Sequence, residues 1–390
     1  MWERNTNGAW LENDPEFIRR AVEARLKLWG SQDEAHDALE RGIEQDLCNK
    51  AMSNMLNRMI EGLCDPVKIF VKDEYVGPTK PGRLIFSKSL IDALCVRILI
   101  WPILQADLPH CYHNWSTVGL DLTDVQKMAK ELYENFFRNS RIVCQNDTKA
   151  FDWSFDEICY YMAFAMTYIR VMGFWPWDRY EVENYPSGGF QRVDRTPPHL
   201  KWWANSFATA VINDLRPVIV DSDGNWYILS FAMMLSGAAW TAYFDTRVRS
   251  ALPRVVQALF VTGPDEEDYY DPDPDVDGTA NGDDCVEDPI SEDPRVIEEA
   301  YGKMGFKLTD IKLVPYGDPI NFCSQVITPT ECYPESWVKA TANLLNRDIV
   351  PDQIWDQYCY VYKHKPGSEE MFAFLRDIVR RDPSQSQSTS

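Results

Sequence analysis

Apolar residues recur at helical spacing along much of the chain. Between Asp14 and Gly30 they form one stripe after an Asp-Pro pair, which predicts a capped amphipathic helix. From Ser89 to Trp101 they are nearly continuous, which predicts a buried helix that ends before Pro102. The other predicted helices are 123–137, which opens on a capping box, 155–172, 238–260 with a kink at Pro253, 293–305, and most of 331–381.

Shorter apolar runs bounded by turn residues predict strands. Val67–Val71 is one, and Arg141–Gln145 is another that ends just before Asp147. The remaining predicted strands are 217–220 and 226–230, which flank an Asp-Ser-Asp-Gly turn, 307–314 and 322–327. Because strands alternate with helices and end near acidic residues, the pattern predicts an α+β fold.

Two groups of carboxylates stand out as candidate chemistry. Asp147 and Asp152 lie in the segment Asp-Thr-Lys-Ala-Phe-Asp-Trp-Ser, and Gly282-Asp283-Asp284 follows far downstream. A Gly-Asp-Asp alone is compatible with any solvated turn. Two distant carboxylate groups that converge can hold a pair of divalent cations, which phosphoryl transfer requires. Hard carboxylate oxygens suit Mg²⁺ or Mn²⁺.

The formal net charge of −21 argues against simple nucleic-acid binding, since RNA-binding proteins normally carry an excess of Lys and Arg. The acidic residues are concentrated, however. Residues 265–293 hold 14 acidic residues and no Lys or Arg, so the rest of the chain carries −7. Residues 50–100 hold eight basic and five acidic residues. A locally basic surface is therefore compatible with the acidic total.

Composition places the chain among globular proteins of reducing compartments. Hydrophobic residues make up 45% of it and 14 are Trp, which excludes a disordered chain. No apolar run reaches the length of a membrane span, and the N-terminus has no signal core. The ten cysteines are scattered singly, which predicts free, mostly buried thiols. We therefore expect a soluble, cytoplasmic protein whose membrane attachment comes from a partner.

Further motifs surround the carboxylates in a fixed order. They are Phe-Val-Lys72-Asp-Glu, Lys80-Pro-Gly-Arg83, Phe-Asp152-Trp-Ser, Ser236-Gly237 with Thr241, Gly282-Asp283-Asp284, Gly305-Phe-Lys307 and Phe322-Cys323-Ser324. Over roughly residues 60 to 330 the chain resembles the RNA-dependent RNA polymerases of positive-strand RNA viruses, most closely the sobemovirus and barnavirus group. Each motif is weak alone, and their order carries the resemblance.

The resemblance implies a right-hand polymerase with fingers, palm and thumb, in which helices flank an antiparallel palm sheet. The implied segments are fingers at 1–140, with a basic segment 67–88 where nucleotides enter, palm at 141–165, a fingers insertion at 166–225, palm at 226–330 with an acidic insertion at 262–280, thumb at 331–382, and a disordered tail at 383–390.

The implied reaction is template-directed nucleotidyl transfer by a two-metal-ion mechanism. Asp147, Asp283 and Asp284 are the implied ligands of Mg²⁺ or Mn²⁺, and Lys307 or Lys312 is the general acid that protonates pyrophosphate. The implied partners are a single-stranded RNA template, nascent RNA and ribonucleoside triphosphates, with a genome-linked protein and other viral replication proteins. The expected location is the host cytoplasm, at membrane-associated replication complexes reached through partners.

The resemblance also implies the groups that bind substrate. They are Lys72, Lys80 and Arg83 for the triphosphate, Ser236 and Gly237 for the template and nascent pair, and Asp152, Thr241 and position 245 around the ribose 2′-hydroxyl. Phe322-Cys323-Ser324 is expected to shape the primer grip, and Arg249 to contact the RNA backbone.

Asp245 departs from the family, which has Asn at this position. An Asn donates and accepts hydrogen bonds, whereas an ionised Asp only accepts. Two carboxylates at one hydroxyl repel each other unless a proton or a cation intervenes. Three alternatives stay open: Thr241 supplies the donor, Asp245 points elsewhere, or ribose selection is unusual.

Other functions also fit parts of the sequence. A reverse transcriptase would carry a bulky residue in place of Gly282. Asp273-x-Asp275-x-Asp277-Gly278 matches the start of a calcium-binding helix-loop-helix motif, which would suit an acidic binding protein. Residues 277–281 are poor strand material, so we expect no regular strand before Gly282. Together with Asp245, this leaves open a polymerase copy that has lost its chemistry.

Overall fold

The computed structural model describes residues 14–44, 55–71, 84–107, 116–118, 129–184, 190–229, 231–236, 238–259, 278–345, 350 and 352–379. They form two compact units. The first unit comprises the described residues up to 71, from 84 to 107 and from 150 to 248. The second comprises those from 116 to 149 and from 249 onward.

The described helices and strands follow one another along both units. The helices are α1 (Pro15–Gly30), α2 (Ala35–Glu44), α3 (Leu90–Asp107), α4 (Ala129–Phe136), α5 (Phe151–Ser154), α6 (Glu157–Met172), α7 (Lys201–Leu215), α8 (Thr241–Gln257), α9 (Pro294–Lys303), α10 (Val338–Leu345), α11 (Asp352–Tyr362) and α12 (Ser368–Val379). The strands are β1 (Val67–Val71), β2 (Leu84–Ser87), β3 (Ile142–Thr148), β4 (Tyr180–Asn184), β5 (Phe190–Asp194), β6 (Val218–Val220), β7 (Trp226–Ile228), β8 (Gly278–Asn281), β9 (Asp284–Glu287), β10 (Leu308–Pro315), β11 (Ile320–Phe322), β12 (Gln325–Ile327) and β13 (Cys332–Pro334).

The first unit is mainly helical, with two small sheets. Helix α7 packs against α1, α2, α3 and α6. One sheet has the order β2-β1-β6-β7, in which β1 pairs antiparallel with β2 and parallel with β6. Strands β4 and β5 form a separate hairpin. The α7 helix buries twelve residues and so has no polar stripe, which is why periodicity gave no signal for it.

Helix α3 does not end before Pro102, as its sequence predicts, but runs on to Asp107. A proline removes one backbone donor and displaces the carbonyl four residues earlier. Next to this break, the Trp203 indole donates to the Leu99 carbonyl at 3.0 Å. Ile103 is buried beyond the proline, and tertiary packing therefore outweighs the local penalty.

The second unit is built on an antiparallel sheet with the strand order β10-β3-β9-β8. A second antiparallel sheet, β11-β12-β13, lies beside it. One hydrophobic core joins helix α4 to both sheets through Phe136, Val143, Val286 and Phe322. Helices α10 to α12 have a core of their own, with Leu344, Trp355, Tyr358, Tyr362 and Leu375 buried in it.

Strand β8 contradicts the expectation that residues 277–281 are not strand. Gly278 lies so close to helix α8 that an added Cβ would stand 3.3 Å from the Ser250 carbonyl oxygen and 3.2 Å from Cys285 Sγ. Ala280 is buried, and its carbonyl accepts from the Thr117 backbone at 3.0 Å. Small residues are required where backbones approach this closely, so tertiary contacts override strand propensity. The last residues of the predicted acidic insertion 262–280 are therefore part of the sheet.

The eight cysteines among the described residues are all free thiols, as predicted. No described helix is both long and apolar enough to cross a bilayer. The residue bounds predicted for fingers, palm and thumb stay predictions. The tail 383–390 and residues 262–277 lie outside the described residues.

Candidate active site

The Gly-Asp-Asp motif is the turn of the β8–β9 hairpin. Asn281 pairs with Asp284, which leaves Gly282 and Asp283 as a two-residue turn. Of these two residues only Gly282 has positive φ, +65°, which is the pattern of a type II′ turn. The backbone therefore favours glycine at 282, and Asp283 is exposed at the tip.

Strand register brings Asp147 beside this hairpin. Asn146 on β3 pairs with Cys285 on β9, so the next antiparallel pair is Asp147 with Asp284. On its other side Asp147 pairs with Thr309 of β10. Directly paired residues present their side chains on the same face of a sheet. Asp147 and Asp284 therefore share one face, here called the carboxylate face.

The proton affinities of Asp147 and Asp284 are raised by burial and by their carboxylate neighbours. Burial raises the pKa of Asp147, and the neighbouring charge of Asp283 raises it further. Burial also raises the pKa of Asp284 to about 6, and Asp283 and Asp147 add to that shift. When all three are ionised they repel one another, so a bound cation would stabilise the group.

The donor chemistry fits Mg²⁺ or Mn²⁺. As the side chains stand, no three His, Cys, Asp or Glu residues in the described ranges are grouped so that they could hold a metal ion together. Mg²⁺ is usually held by one or two carboxylates, with water and substrate phosphate completing its shell. Asp147, Asp283 and Asp284 supply enough carboxylates for such an ion, and their mutual repulsion favours its binding.

Strand β10 carries a bulge beside Asp147. Between Thr309, which faces Asp147, and Lys312, which faces Gln145, two residues of β10 stand opposite one residue of β3. The extra residue returns Lys312 to the carboxylate face, because Gln145 and Asp147 share that face. Lys307 immediately precedes β10, and its carbonyl accepts from the Lys149 backbone at 2.9 Å. Both exposed lysines stay candidates for the general acid.

A strained turn between β11 and β12 places a thiol beside Asp284. Cys323 and Ser324 have φ of 52° and 59°, a type I′ turn built without Asn or Gly. Burial raises the pKa of the Cys323 thiol, and Asp284 raises it further by charge and by accepting its hydrogen bond. The Phe-Cys-Ser motif thus contacts the second aspartate of Gly-Asp-Asp, while its role in a primer grip stays a prediction.

We expect Ser324→Val to be about 1–2 kcal/mol less stable than Ser324→Gly, because only glycine adopts the left-handed region without strain. Ser324 is exposed, so neither change removes a buried contact. The measurement is urea unfolding of both variants. Equal midpoints and slopes would show that the turn relaxes out of the left-handed conformation at little expense.

Arg249 lies in the interior instead of at a surface for RNA. Its side chain is 0% exposed and forms an ion pair with Glu287 at 2.9 Å. It also donates to Asn146, and Tyr301 donates to Glu287 at 2.9 Å. The prediction that Arg249 contacts the RNA backbone is therefore wrong. No local sequence signal pointed to its partners, because they lie on β3 and β9, far from Arg249 in the chain.

The first unit assembles a second group of predicted residues around one loop. The backbone N–H of Met234 donates to the Asp152 carbonyl at 2.8 Å, and the Tyr160 hydroxyl donates to the Met233 carbonyl at 3.1 Å. The Ser236 carbonyl accepts from Phe86 of β2 at 2.9 Å. The loop 232–236 is therefore anchored to the helical turn that bears Asp152 and to the first sheet.

Asp245 points into the same region as Asp152. Burial raises the pKa of Tyr160, and the charges of Asp214, Asp245 and Asp152 raise it further, so Asp245 and Asp152 act on the same buried hydroxyl. Thr241 donates its hydroxyl proton to the Leu235 carbonyl at 2.7 Å. Its hydroxyl is therefore left as an acceptor, which disfavours the alternative in which Thr241 supplies the missing donor.

Lys72, Lys80, Arg83 and Gly237 lie outside the described residues. Strands β1 and β2, which border the basic segment, pair antiparallel as a hairpin would. The triphosphate-binding role of the three basic residues stays a prediction.

The structure contradicts the calcium-binding alternative. In a helix-loop-helix calcium site the loop's last positions lead into a helix. Here Gly278, the motif's sixth position, begins β8, and Asp284, its twelfth, begins β9. The metal-binding pattern of that motif therefore cannot form.

Comparison with solved structures gives the fold. The chain superposes on the insertion-loop deletion mutant of the RNA-dependent RNA polymerase of a human picorbirnavirus with a TM-score of 0.56, 13% identity, and coverage of 81% of this chain and 58% of that one. It also superposes on the Sicinivirus 3Dpol RNA-dependent RNA polymerase with a TM-score of 0.54, 18% identity, and coverage of 84% and 65%. The fold is that of right-hand viral RNA-dependent RNA polymerases. The predicted α+β right-hand architecture is confirmed.

Sequence comparison points to the same group. The chain is 25% identical to the replicase polyprotein P2AB of Southern bean mosaic virus over 88% of its length, and 24% identical to that of Cocksfoot mottle virus over 73%. It spans only 30% and 26% of those polyproteins. No protein-family model matches the chain. The predicted resemblance to sobemovirus polymerases is confirmed.

Proposed function

We propose that this chain is an RNA-dependent RNA polymerase that copies a viral RNA genome. The observation that carries the proposal is that three aspartates lie together near the ends of strands in an antiparallel sheet. Asp147 is on β3, and Asp283 and Asp284 are on the β8–β9 hairpin. A polymerase fold and relatives that are viral replicases support the same reaction.

In the proposed reaction the 3′-hydroxyl of the nascent RNA loses its proton and attacks the α-phosphorus of a ribonucleoside triphosphate. A new phosphodiester bond forms, and the bond to pyrophosphate breaks. Asp147, Asp283 and Asp284 would hold two Mg²⁺ or Mn²⁺ ions, which supply Lewis-acid activation of the hydroxyl and neutralise charge on the departing pyrophosphate. Lys307 or Lys312 donates a proton to the pyrophosphate as it leaves.

The first unit is proposed to recognise the nucleotide. Asp152 accepts from the ribose 2′-hydroxyl, and Asp245 takes the family's second position beside it. Ser236 and Gly237 contact the template and nascent pair. A single-stranded RNA template and ribonucleoside triphosphates are the proposed substrates, with a genome-linked protein and other viral replication proteins as proposed partners in the host cytoplasm.

The test is incorporation of labelled ribonucleotide on a single-stranded RNA template with Mg²⁺ or Mn²⁺. Template-dependent product from the wild-type protein supports the proposal. A folded protein that makes no product with added primer and either metal would contradict it.

The stability of the metal-free protein should fall as pH rises from about 4 to about 6. The pKa of Asp284 is about 6 in the folded protein and 3.8 without these interactions, so between these values the unfolded chain ionises first and unfolding releases a proton. A cation that binds the ionised carboxylates reverses this loss. We therefore expect Mg²⁺ to raise the unfolding temperature more at pH 7.5 than at pH 5, measured by calorimetry. A shift of equal size at both pH values would count against the carboxylates as its source.

A further inference from the structure

A closed hydrogen-bonded ring lies buried in the second unit, on the face of the sheet opposite the carboxylate face. One guanidinium nitrogen of Arg249, on α8, donates a hydrogen bond to Glu287 at 2.9 Å, and the other donates to Asn146. Asn146 in turn donates to Glu287 at 3.0 Å. Tyr301 of α9 donates to both Glu287 oxygens, at 3.0 and 2.9 Å. These four side chains, here called the Arg249 ring, are all buried.

The ring is close to the carboxylates along the chain, although its side chains lie on the opposite face of the sheet. Asn146 immediately precedes Asp147 on β3, and Glu287 follows Asp284 by three residues on β9. Successive side chains of a strand point to opposite faces. Clamping Asn146 to Glu287 through one guanidinium therefore fixes β3 against β9 at the point where Asp147 and Asp284 come together.

Stability alone is a weak explanation for such a group. Buried ion pairs contribute little net stability compared with apolar residues of similar size, because desolvation offsets their attraction. A planar guanidinium can hold two partners at once in fixed geometry, which a lysine ammonium does less well. The positive charge of Arg249 also lowers the pKa values of Asp147 and Asp284, against the raising effects of burial and of the neighbouring carboxylates.

We propose that Arg249 is a positioning residue for the metal-binding carboxylates: its two-pronged contact to Asn146 and Glu287 aligns Asp147 with Asp284, while Glu287 neutralises its charge. This inference rests on the proposed function, because it assumes that those carboxylates bind a divalent cation. Replacing a residue that orients metal ligands without binding the metal typically lowers metal affinity by roughly 10–100-fold.

The test is Mn²⁺ binding to the full chain without RNA or nucleotide, measured from the electron paramagnetic resonance signal of free Mn²⁺. Arg249→Lys keeps the charge but loses the fork, and we expect its Mn²⁺ affinity to fall roughly tenfold or more. If Arg249→Lys does not fold, the double variant Arg249→Met with Glu287→Gln takes its place, because it removes both charges of the buried pair together and leaves neither unpaired. It should lose affinity similarly.

Leu132→Ala is the matched control. It opens a cavity in the core on the opposite face of the sheet, so it lowers stability without touching the ring. Equal loss of Mn²⁺ affinity in Leu132→Ala and the ring variants, or unchanged affinity in both folded ring variants, would overturn the proposal. If the wild-type protein shows no Mn²⁺ binding that Asp283→Ala abolishes, the metal site of the proposed function fails instead.

Discussion

Asp283→Ala is expected to abolish nucleotide incorporation while the protein stays folded. The residue is exposed at the tip of the β8–β9 turn and has negative φ, so alanine fits the backbone without strain. Loss of a metal ligand removes several kcal/mol of transition-state stabilisation, which corresponds to a rate loss of roughly a thousandfold or more. The measurement is labelled ribonucleotide incorporation on a single-stranded RNA template with Mg²⁺ or Mn²⁺.

Asp318→Ala is a suitable control for this variant. Asp318 is also exposed in a turn of the second unit, between β10 and β11, and its removal takes away the same charge. It should retain full incorporation, and both variants should unfold close to the wild-type protein. Incorporation by Asp283→Ala within roughly tenfold of wild type would remove Asp283 from the metal site and leave the chemistry to Asp147 and Asp284.

Asp152→Ala is expected to lose the preference for ribonucleotides over deoxyribonucleotides. A site that hydrogen-bonds a substrate hydroxyl rejects the analogue without it by large factors, so the ratio of kcat/KM for ATP and dATP should fall by roughly a hundredfold or more. The backbone carbonyl of residue 152, which anchors Met234, is unaffected by the change. Steady-state incorporation of the two nucleotides measures the ratio. A wild-type protein that prefers deoxyribonucleotides would instead support the reverse transcriptase alternative.

Asp245→Asn is the informative companion to that variant. Asp245 is 4% exposed and an amide has nearly its shape, so the fold should tolerate the change. Because Asn can donate to the hydroxyl and carries no charge to repel Asp152, incorporation should be preserved or raised. A strong loss would show that the carboxylate itself is needed, and that ribose selection here differs from the family.

The parts of the site that sequence predicted are those with a local signal. Asp147 follows a run of strand residues, so the residue pattern alone places it near a strand end. Gly282-Asp283 has the composition of a tight turn, although the pattern predicted no strand before it. The pairing of Asp147 with Asp284 could not be predicted, because it depends on the register between β3 and β9, which are far apart in the chain. The order of motifs supplied the missing long-range information through a family resemblance.

The errors arose where tertiary contacts outweigh local preference. Gly278 to Asn281 form a strand although their strand propensity is low, because Gly278 packs closely against helix α8 and Ala280 is buried with its carbonyl bonded to Thr117. Arg249 was predicted to contact the RNA backbone, and nothing near it in sequence reveals its partners on β3 and β9. Helix α7 gave no periodic signal because it is buried on nearly all sides.

The bulge lets β10 hold one residue more than the stretch of β3 opposite it, while the side chains on both sides of the bulge keep their faces. Val314 packs into the core on the same face as Lys312, and both keep that face because the bulge accommodates the one extra residue after Thr309. Loss of one of the two bulge residues would restore one-to-one pairing with β3 and leave Lys312 opposite Gln145 and Val314 opposite Val143. A deletion of one residue is therefore acceptable to the fold at the bulge, whereas the same deletion elsewhere in β10 would turn the residues beyond it to the opposite face of the sheet.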